Sequence, residues 1–241
     1  MLLIIRSFVL FFLLVVSSVC VLIYCIARPR HRNNVYWYAR LFSMVSPLLG
    51  VKVILRGYTQ QRLPCVFTAN HQNSFDVFTL TKAVPRATVS LGKKSLLWMP
   101  FVGQIYWLTG NILIDRGNRQ KAIATLKDTV SQMRKKMLSL WVFPEGTRSR
   151  GNGLLPFKLG AFHTAIQAKV PIIPVVASCQ KNICLNRWNN GVVIVEMLKP
   201  ISTRGLSMDD VKDLAEKVRS TMLERYEKIT QEAEALQLKY A

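Results

Sequence analysis

His71 and Asp76 stand five residues apart in the stretch NHQNSFD (70–76), directly after the apolar run CVFTA (65–69). Five residues are about 500° of helical rotation, so the two side chains do not share a face of one continuous helix. They converge if His71 lies in the turn after a strand and Ser74 caps a helix whose first turn holds Asp76. There the helix dipole and free N–H groups favour an ionised carboxylate. An Asp bonded to one ring nitrogen fixes the tautomer and leaves the other nitrogen as a base. The competing reading is a structural histidine that caps a helix.

The base has no partner nucleophile in the usual patterns. There is no G-x-S-x-G elbow and no H-E-x-x-H, and GKKS (92–95) lacks the first glycine of a P-loop. Direct activation of a substrate hydroxyl is the chemistry left for such a pair. No metal-ligand spacing is present either.

A second constellation is FPEGTRSRGNG (143–153), which comes after the apolar run LSLWVF. Glu145, Gly146, Thr147 and Arg148 are placed at the C-terminal end of a buried strand, the edge where open α/β sheets bind ligands. Glycine lets backbone N–H groups approach an anion, and Arg148 or Arg150 can grip a phosphate bidentately. The alternative is a flexible basic turn. Arg116, ending NILIDR, and Lys93, opening KKSLLW, also come just past strands and fit a phosphate site, although each is equally a solvated charge. VPIIPV (170–175) reads as a buried strand start, with Pro174 calling for a bulge or an edge.

The elements that must carry these residues alternate. Strands are expected at 51–56, 65–69, 87–91, 111–114, 138–143, 171–177 and 191–197. Helices are expected at 75–83, 95–108, 118–137 and 159–168. A last amphipathic helix spans 207–239, capped by Ser207, with the stripe Val211, Leu214, Val218, Met222, Ile229, Ala233 and Leu236. Such alternation specifies an α/β fold: a central, mostly parallel or mixed sheet flanked by helices. At 241 residues the chain makes one domain, 50–241, behind an N-terminal segment, 1–49.

That segment is apolar. Residues 7–27 carry no charge and make a helix of about 31 Å, the thickness of the hydrocarbon core. The helix gives way to ARPRHR, not to a small-residue cleavage site, so a retained membrane anchor is expected. Residues 33–49 read as a second helix at the interface. The heavier basic flank lies C-terminal to the anchor, which puts the remainder on the cytoplasmic side.

The net charge is +20, and residues 51–206 hold 22 Lys and Arg against five acids. An anionic lipid surface, an anionic substrate and nucleic acid are the partners that such a charge admits. The five cysteines form neither a disulfide framework nor a metal set, and free thiols are expected.

Taken together, NHQNSFD, GNILIDR, FPEGTR and VPIIPV occur in the order found in the membrane glycerolipid acyltransferases. The chain resembles that family over about residues 20–200, and closely its bacterial lysophosphatidic acid branch. GKKSLLWMPFVGQIYWLTGN and LLPFKLGAFH add to the likeness. The resemblance implies His71 as catalytic base with Asp76 as its partner. It implies binding of the glycerol phosphate by Lys93, Arg116, Glu145, Gly146, Thr147 and Arg148, and an acyl-side pocket at Val170, Pro171 and Pro174. It further implies transfer of an acyl chain from acyl-CoA or acyl-carrier protein to the sn-2 hydroxyl of lysophosphatidic acid. No cofactor, metal or nucleic acid enters that reaction, which the resemblance places at the cytoplasmic face of a bacterial inner membrane. Rival readings are the same chemistry on glycerol 3-phosphate or another lysophospholipid, a hydrolase that activates water, and a membrane-tethered basic binding protein.

Overall fold

The computed structural model describes residues 1–57, 64–100 and 102–240. Its centre is a seven-stranded sheet in the order β1-β7-β6-β2-β5-β3-β4. The strands are β1 (Val51–Gly57), β2 (Val66–Ala69), β3 (Thr88–Lys93), β4 (Ile112–Ile114), β5 (Ser139–Val142), β6 (Ile172–Ala177) and β7 (Gly191–Met197). All seven expected strands form. β6, β2, β5, β3 and β4 run parallel, whereas β7 is antiparallel to β6 and parallel to β1. The sheet is therefore mixed, and the C-terminal ends of five neighbouring strands share one edge.

Every residue of β2, β5 and β6 is buried, as continuous apolar runs in parallel strands require. Phe67 of β2 stacks on its β5 neighbour Trp141 at 5.7 Å. One helical layer consists of α5 (Arg119–Lys136), α6 (Gly160–Ala168) and α7 (Val211–Tyr240), with α6 on β2 and α7 on β6 and β7. The α7 stripe from Val211 to Ala233 is buried against the sheet as its periodicity demands. Glu196 of β7, with Arg56 and Arg225, and Glu232 with Arg56, tie α7 to the β1 edge.

On β3 lies α2 (Asn34–Ser43), which also packs on α3 (Asp76–Thr79) through stacked Phe42 and Phe78, 5.9 Å apart. Outside it runs α1 (Leu2–Ala27), long and apolar enough to cross a membrane. It is tied to the body at both ends. Arg6 donates to the carbonyls of Leu185, Arg187 and Trp188. Near the other end, Val21 and Cys25 form a cluster with Ile105 of α4 (Val102–Leu108).

Several boundaries differ from expectation, each for a local reason. The apolar helix begins at Leu2, and the expected helix 33–49 is α2 followed by a 3₁₀ turn at Ser46–Leu49 that contains Pro47. The expected helix 95–108 is a 3₁₀ turn, Lys94–Trp98, then α4 beyond Pro100; Phe101 lies outside the described residues. β3 starts one residue late because Ala87 is left-handed, with φ 52°. α7 starts at Val211, since Asp210 turns back to accept from both the N–H and hydroxyl of Ser207. Pro174 sits inside β6, an interior strand, without a bulge in the β2 register. Its carbonyl accepts from Leu198, one residue past the end of β7, so the absent N–H faces a place where the ladder has stopped.

Candidate active site

β2 ends at Ala69, and the next residue continues its pairing by side chain. Asn70 accepts from the Ala177 N–H (2.8 Å) and donates to the Ala177 carbonyl (2.9 Å). The backbone is thereby free to turn, and the turn carries His71. Its Nδ1 lies 2.6 Å from Oδ2 of Asp76, the first residue of α3.

Asp76 is the hub. Oδ2 also accepts the backbone N–H groups of Gln72 (2.7 Å) and Asn73 (3.1 Å), and Oδ1 accepts from the Gln180 side chain (2.9 Å). The carboxylate is buried, with 2% of its side chain exposed against 22% for His71. Ser74, expected to cap this helix, makes no such bond: it is exposed, while Asn73 Oδ1 takes the Phe75 N–H and Asp76 Oδ2 takes those of Gln72 and Asn73, ahead of the helix. With Nδ1–H donated to a carboxylate, Nε2 carries the free lone pair. The ring stacks on Phe143 at 4.2 Å, which fixes its plane.

The FPEGTR segment is laced to this turn. Glu145 accepts the His71 N–H at 2.6 Å and the Leu155 N–H at 2.9 Å, one on each carboxylate oxygen. Ser149 N–H donates to the His71 carbonyl (2.8 Å) and Arg150 N–H to that of Gln72 (2.9 Å). Burial pushes the Glu145 carboxyl above its ordinary value, and the two backbone N–H bonds oppose that rise. Glu145, grouped by resemblance with phosphate-binding residues, is therefore a buried brace with both oxygens occupied. An anion so placed positions the turn.

Cationic groups line the same edge. Arg116 reaches from beyond β4 to donate to the Gly146 carbonyl, and partial burial lowers its pKa from the ordinary arginine value. Lys158 lies against Gly146 from the other side: a Cβ built there would sit 2.8 Å from its Cε. Thr147, Arg148 and Lys93 are exposed, and neither Arg148 nor Lys93 has an ion-pair partner among the described residues. Strands are about 4.8 Å apart, so the β3 end that carries Lys93 is roughly 10 Å from that of β2. The edge thus joins a His–Asp pair to a bed of positive charge.

Val170, Pro171 and Pro174 are not part of this cluster. Pro171 accepts from Val66 at the start of β2, so it lies at the opposite sheet edge, about 20 Å from His71 at strand spacing. Pro174 is buried within β6. A cavity of about 740 Å³ also lies elsewhere, at β1, three strands from β2. Its size does not outweigh the convergence of reactive groups at His71.

Gln72, Gln180, Phe143 and Lys158 join the site without any motif that marks them as reactive. Gln180 reaches Asp76 from 104 positions away, and only its place after a strand distinguishes it in sequence. Lys158 lies in LLPFKLGAFH, where it is one more basic residue in a basic chain.

Comparison with known proteins decides the family. A sequence model described as "Acyltransferase" matches residues 50–178. The 1-acyl-sn-glycerol-3-phosphate acyltransferase of Escherichia coli is 50% identical over 219 residues, 89% of each chain. The chain belongs to the acyltransferase family. The Haemophilus influenzae enzyme of that name is 48% identical over 89% of this chain and 91% of its own, and the human alpha form is 36% identical over 86% and 75%. The crystal structure of the Thermotoga maritima 1-acyl-sn-glycerophosphate acyltransferase shares the fold, with TM-score 0.74 at 21% identity over 95% of this chain and 94% of that one. In this acyltransferase, then, the family-model match spans both the His71 turn and the FPEGTR segment.

Proposed function

We propose that this acyltransferase moves an acyl chain from acyl-CoA or acyl-carrier protein to the sn-2 hydroxyl of 1-acyl-sn-glycerol 3-phosphate, forming phosphatidic acid. The observation that carries the reading is the His71–Asp76 contact of 2.6 Å, with Nε2 free beside a cationic edge. Nε2 accepts the proton of the acceptor hydroxyl as its oxygen bonds to the thioester carbonyl carbon. The tetrahedral adduct collapses with cleavage of the C–S bond, and the leaving thiolate takes up the proton from His71. A thiolate with a pKa near about 8.5 leaves without a covalent enzyme intermediate. Asp76 holds the ring and the charge that forms on it.

Arg116, Lys158, Arg148 and Lys93 hold the acceptor's phosphate, with Thr147 and the Gly146 backbone beside them, and so orient the hydroxyl toward His71. The reaction needs no cofactor. Residues 1–49, with the apolar α1, keep the enzyme at the bilayer where acceptor and product reside, the catalytic domain 50–241 facing the cytoplasm of a bacterial inner membrane.

The test is thiol release from acyl-CoA by detergent-purified protein, with and without lysophosphatidic acid, beside His71→Ala and Arg148→Ala. Release that requires acceptor and His71, weakened in acceptor KM by Arg148→Ala, supports the reading. Release without acceptor makes the protein a hydrolase. A His71→Ala enzyme that keeps its rate removes the mechanism. Acyl-carrier protein and glycerol 3-phosphate replace each substrate in turn to assign donor and acceptor.

A further inference from the structure

We propose that the turn at 94–100 is a second membrane contact, a rigid apolar wedge that seats beside α1 in the headgroup and upper acyl layer of an anionic phospholipid bilayer. β3 leaves the sheet at Lys93, makes the 3₁₀ turn Lys94–Trp98, and returns through α4. Leu97, Trp98 and Met99 are 37%, 82% and 48% exposed. Three consecutive large apolar side chains facing water forgo the transfer free energy that burial provides, and such a patch marks a contact with something else.

The turn is built, not loose. Met99 N–H donates to the Leu96 carbonyl (3.0 Å) and Gly103 N–H to that of Met99 (2.9 Å). Gly103 sits so close beneath the turn that a Cβ would lie 2.4 Å from the Leu97 carbonyl oxygen and 2.5 Å from that of Leu96. A glycine inside a short helix is unfavourable by about 1 kcal/mol relative to alanine, and here it lets the turn press onto α4. The tip is held out by this packing, and among the described residues Trp98 stays 82% exposed at its end.

Its position selects the occupant. Ile105 of α4 joins Val21 and Cys25 of α1 in one cluster, and the Leu108 carbonyl accepts the Arg30 N–H just past the end of α1. α4 therefore runs alongside the last turns of α1 in the same direction. Its start, where the wedge sits, points back along the uncharged stretch of α1. Cations bracket the tip: Lys93 at its base, beside Lys94, which is paired with Asp115 at 3.6 Å, and Arg30 over Trp107 at the far end of α4, 5.1 Å from the ring centre. Apolar tip, aromatic ring and flanking cations in that order match the acyl, interfacial and phosphate layers of an anionic bilayer. Because Lys93 lies both at the base of the wedge and on the phosphate-binding edge, seating the wedge holds that edge at the depth of lipid phosphate.

The inference deepens the proposed function and rests on it only for the second of two measurements. In the first, wild type and Trp98→Phe are reconstituted in vesicles of phosphatidylethanolamine and phosphatidylglycerol, with or without bromine on the upper acyl chains. The fluorescence difference between the two proteins, which reports Trp98, is expected to be quenched by bromolipid. An unquenched difference overturns the proposal whatever reaction the enzyme runs, and leaves a protein partner as the cover for this patch. In the second, Trp98→Asp is expected to lose about tenfold in activity on long-chain lysophosphatidic acid presented in vesicles, with activity on a water-soluble short-chain acceptor kept. An equal loss on both acceptors assigns Trp98 to the site itself and overturns the wedge.

Discussion

Gln180 Nε2 donates to Oδ1 of Asp76 at 2.9 Å, on the side of the carboxylate away from His71. Gln180 is itself held: its N–H donates to Gln72 and its side-chain oxygen accepts from Thr79. The His–Asp turn is thus clamped between the segments that come after β5 and β6, and the imidazole is oriented before substrate arrives. Preorganisation of this kind reduces what must be reordered in the transition state.

Asp76→Asn tests that orientation. An amide cannot accept from His71 Nδ1–H and the two backbone N–H groups as a carboxylate does, and its own NH₂ faces donors. The wrong tautomer results, with Nε2 protonated in the resting enzyme. A fall in kcat of about 10²–10⁴-fold with little change in acceptor KM is expected, read by steady-state thiol release. A proportionate rise in KM would assign Asp76 to binding.

Glu145→Gln is expected to weaken the fold, not the phosphate grip. One oxygen becomes a donor facing the N–H of His71 or Leu155, which costs about 1–3 kcal/mol for a buried unpaired group. The pH dependence has a definite sign. Burial raises the Glu145 pKa above 4.5, so the folded state binds this proton more tightly than the unfolded chain. The contribution is complete below that ordinary value and is lost as pH rises through the folded pKa. Thermal unfolding across that range should show a shallower decline for the glutamine variant. An unchanged slope would mean that the two N–H bonds cancel the burial.

Ser149 and Gly146 separate structure from binding within one loop. The Ser149 hydroxyl is buried with no hydrogen-bond partner among the described residues, so Ser149→Ala should leave the melting temperature unchanged or raise it. An activity loss at full stability would place that hydroxyl on the substrate. Gly146 has φ 70°, and alanine there costs about 1 kcal/mol of backbone strain and displaces Lys158. Gly146→Ala is expected to raise the acceptor KM together with a lower melting temperature. Lys158→Ala should raise KM alone. If KM stays fixed in both, Lys158 is not a phosphate ligand.

The seven strands were legible because each is a short apolar run bounded by turn formers, and β2, β5 and β6 are buried on both faces. The α7 stripe was legible for the same reason. The helix expected at 118–137 forms as α5, but only its second half packs inward: Val130 and Met133 are buried, Ile123 near its start is exposed, and Met137 is the left-handed residue past its end. His71 and Asp76 stood out because the residues that join them lie within one turn. Gln180 and Lys158 did not, since only the parallel order β6-β2-β5 brings their loops to that turn, and strand order is a long-range property. Ser74 failed as a cap because α3 starts one residue later, at Asp76 after Phe75, and no side chain caps it; the Asp76 carboxylate turns back to the Gln72 and Asn73 N–H groups instead.

The attachment of α1 gives the last test. Arg6 is 8% exposed, and its guanidinium serves three carbonyls in 185–188 while stacking over Trp188 at 5.6 Å. An arginine near the start of an apolar helix that were merely inserted in lipid would reach for headgroups. This one is spent on the body of the protein, and Gly50 leaves the room: a Cβ there would lie 1.9 Å from the Trp188 carbonyl oxygen. Arg6→Leu keeps the helix apolar and removes only the tie. Membrane retention should then persist in flotation, while the melting temperature in detergent falls by the equivalent of about 1–3 kcal/mol, as expected for charged hydrogen bonds lost from a buried site. Trypsin cleavage after Lys181 or Arg187 should accelerate, because the loop loses what holds it. Unchanged melting and cleavage would show that α1 docks through Leu10, Val21 and Cys25 alone.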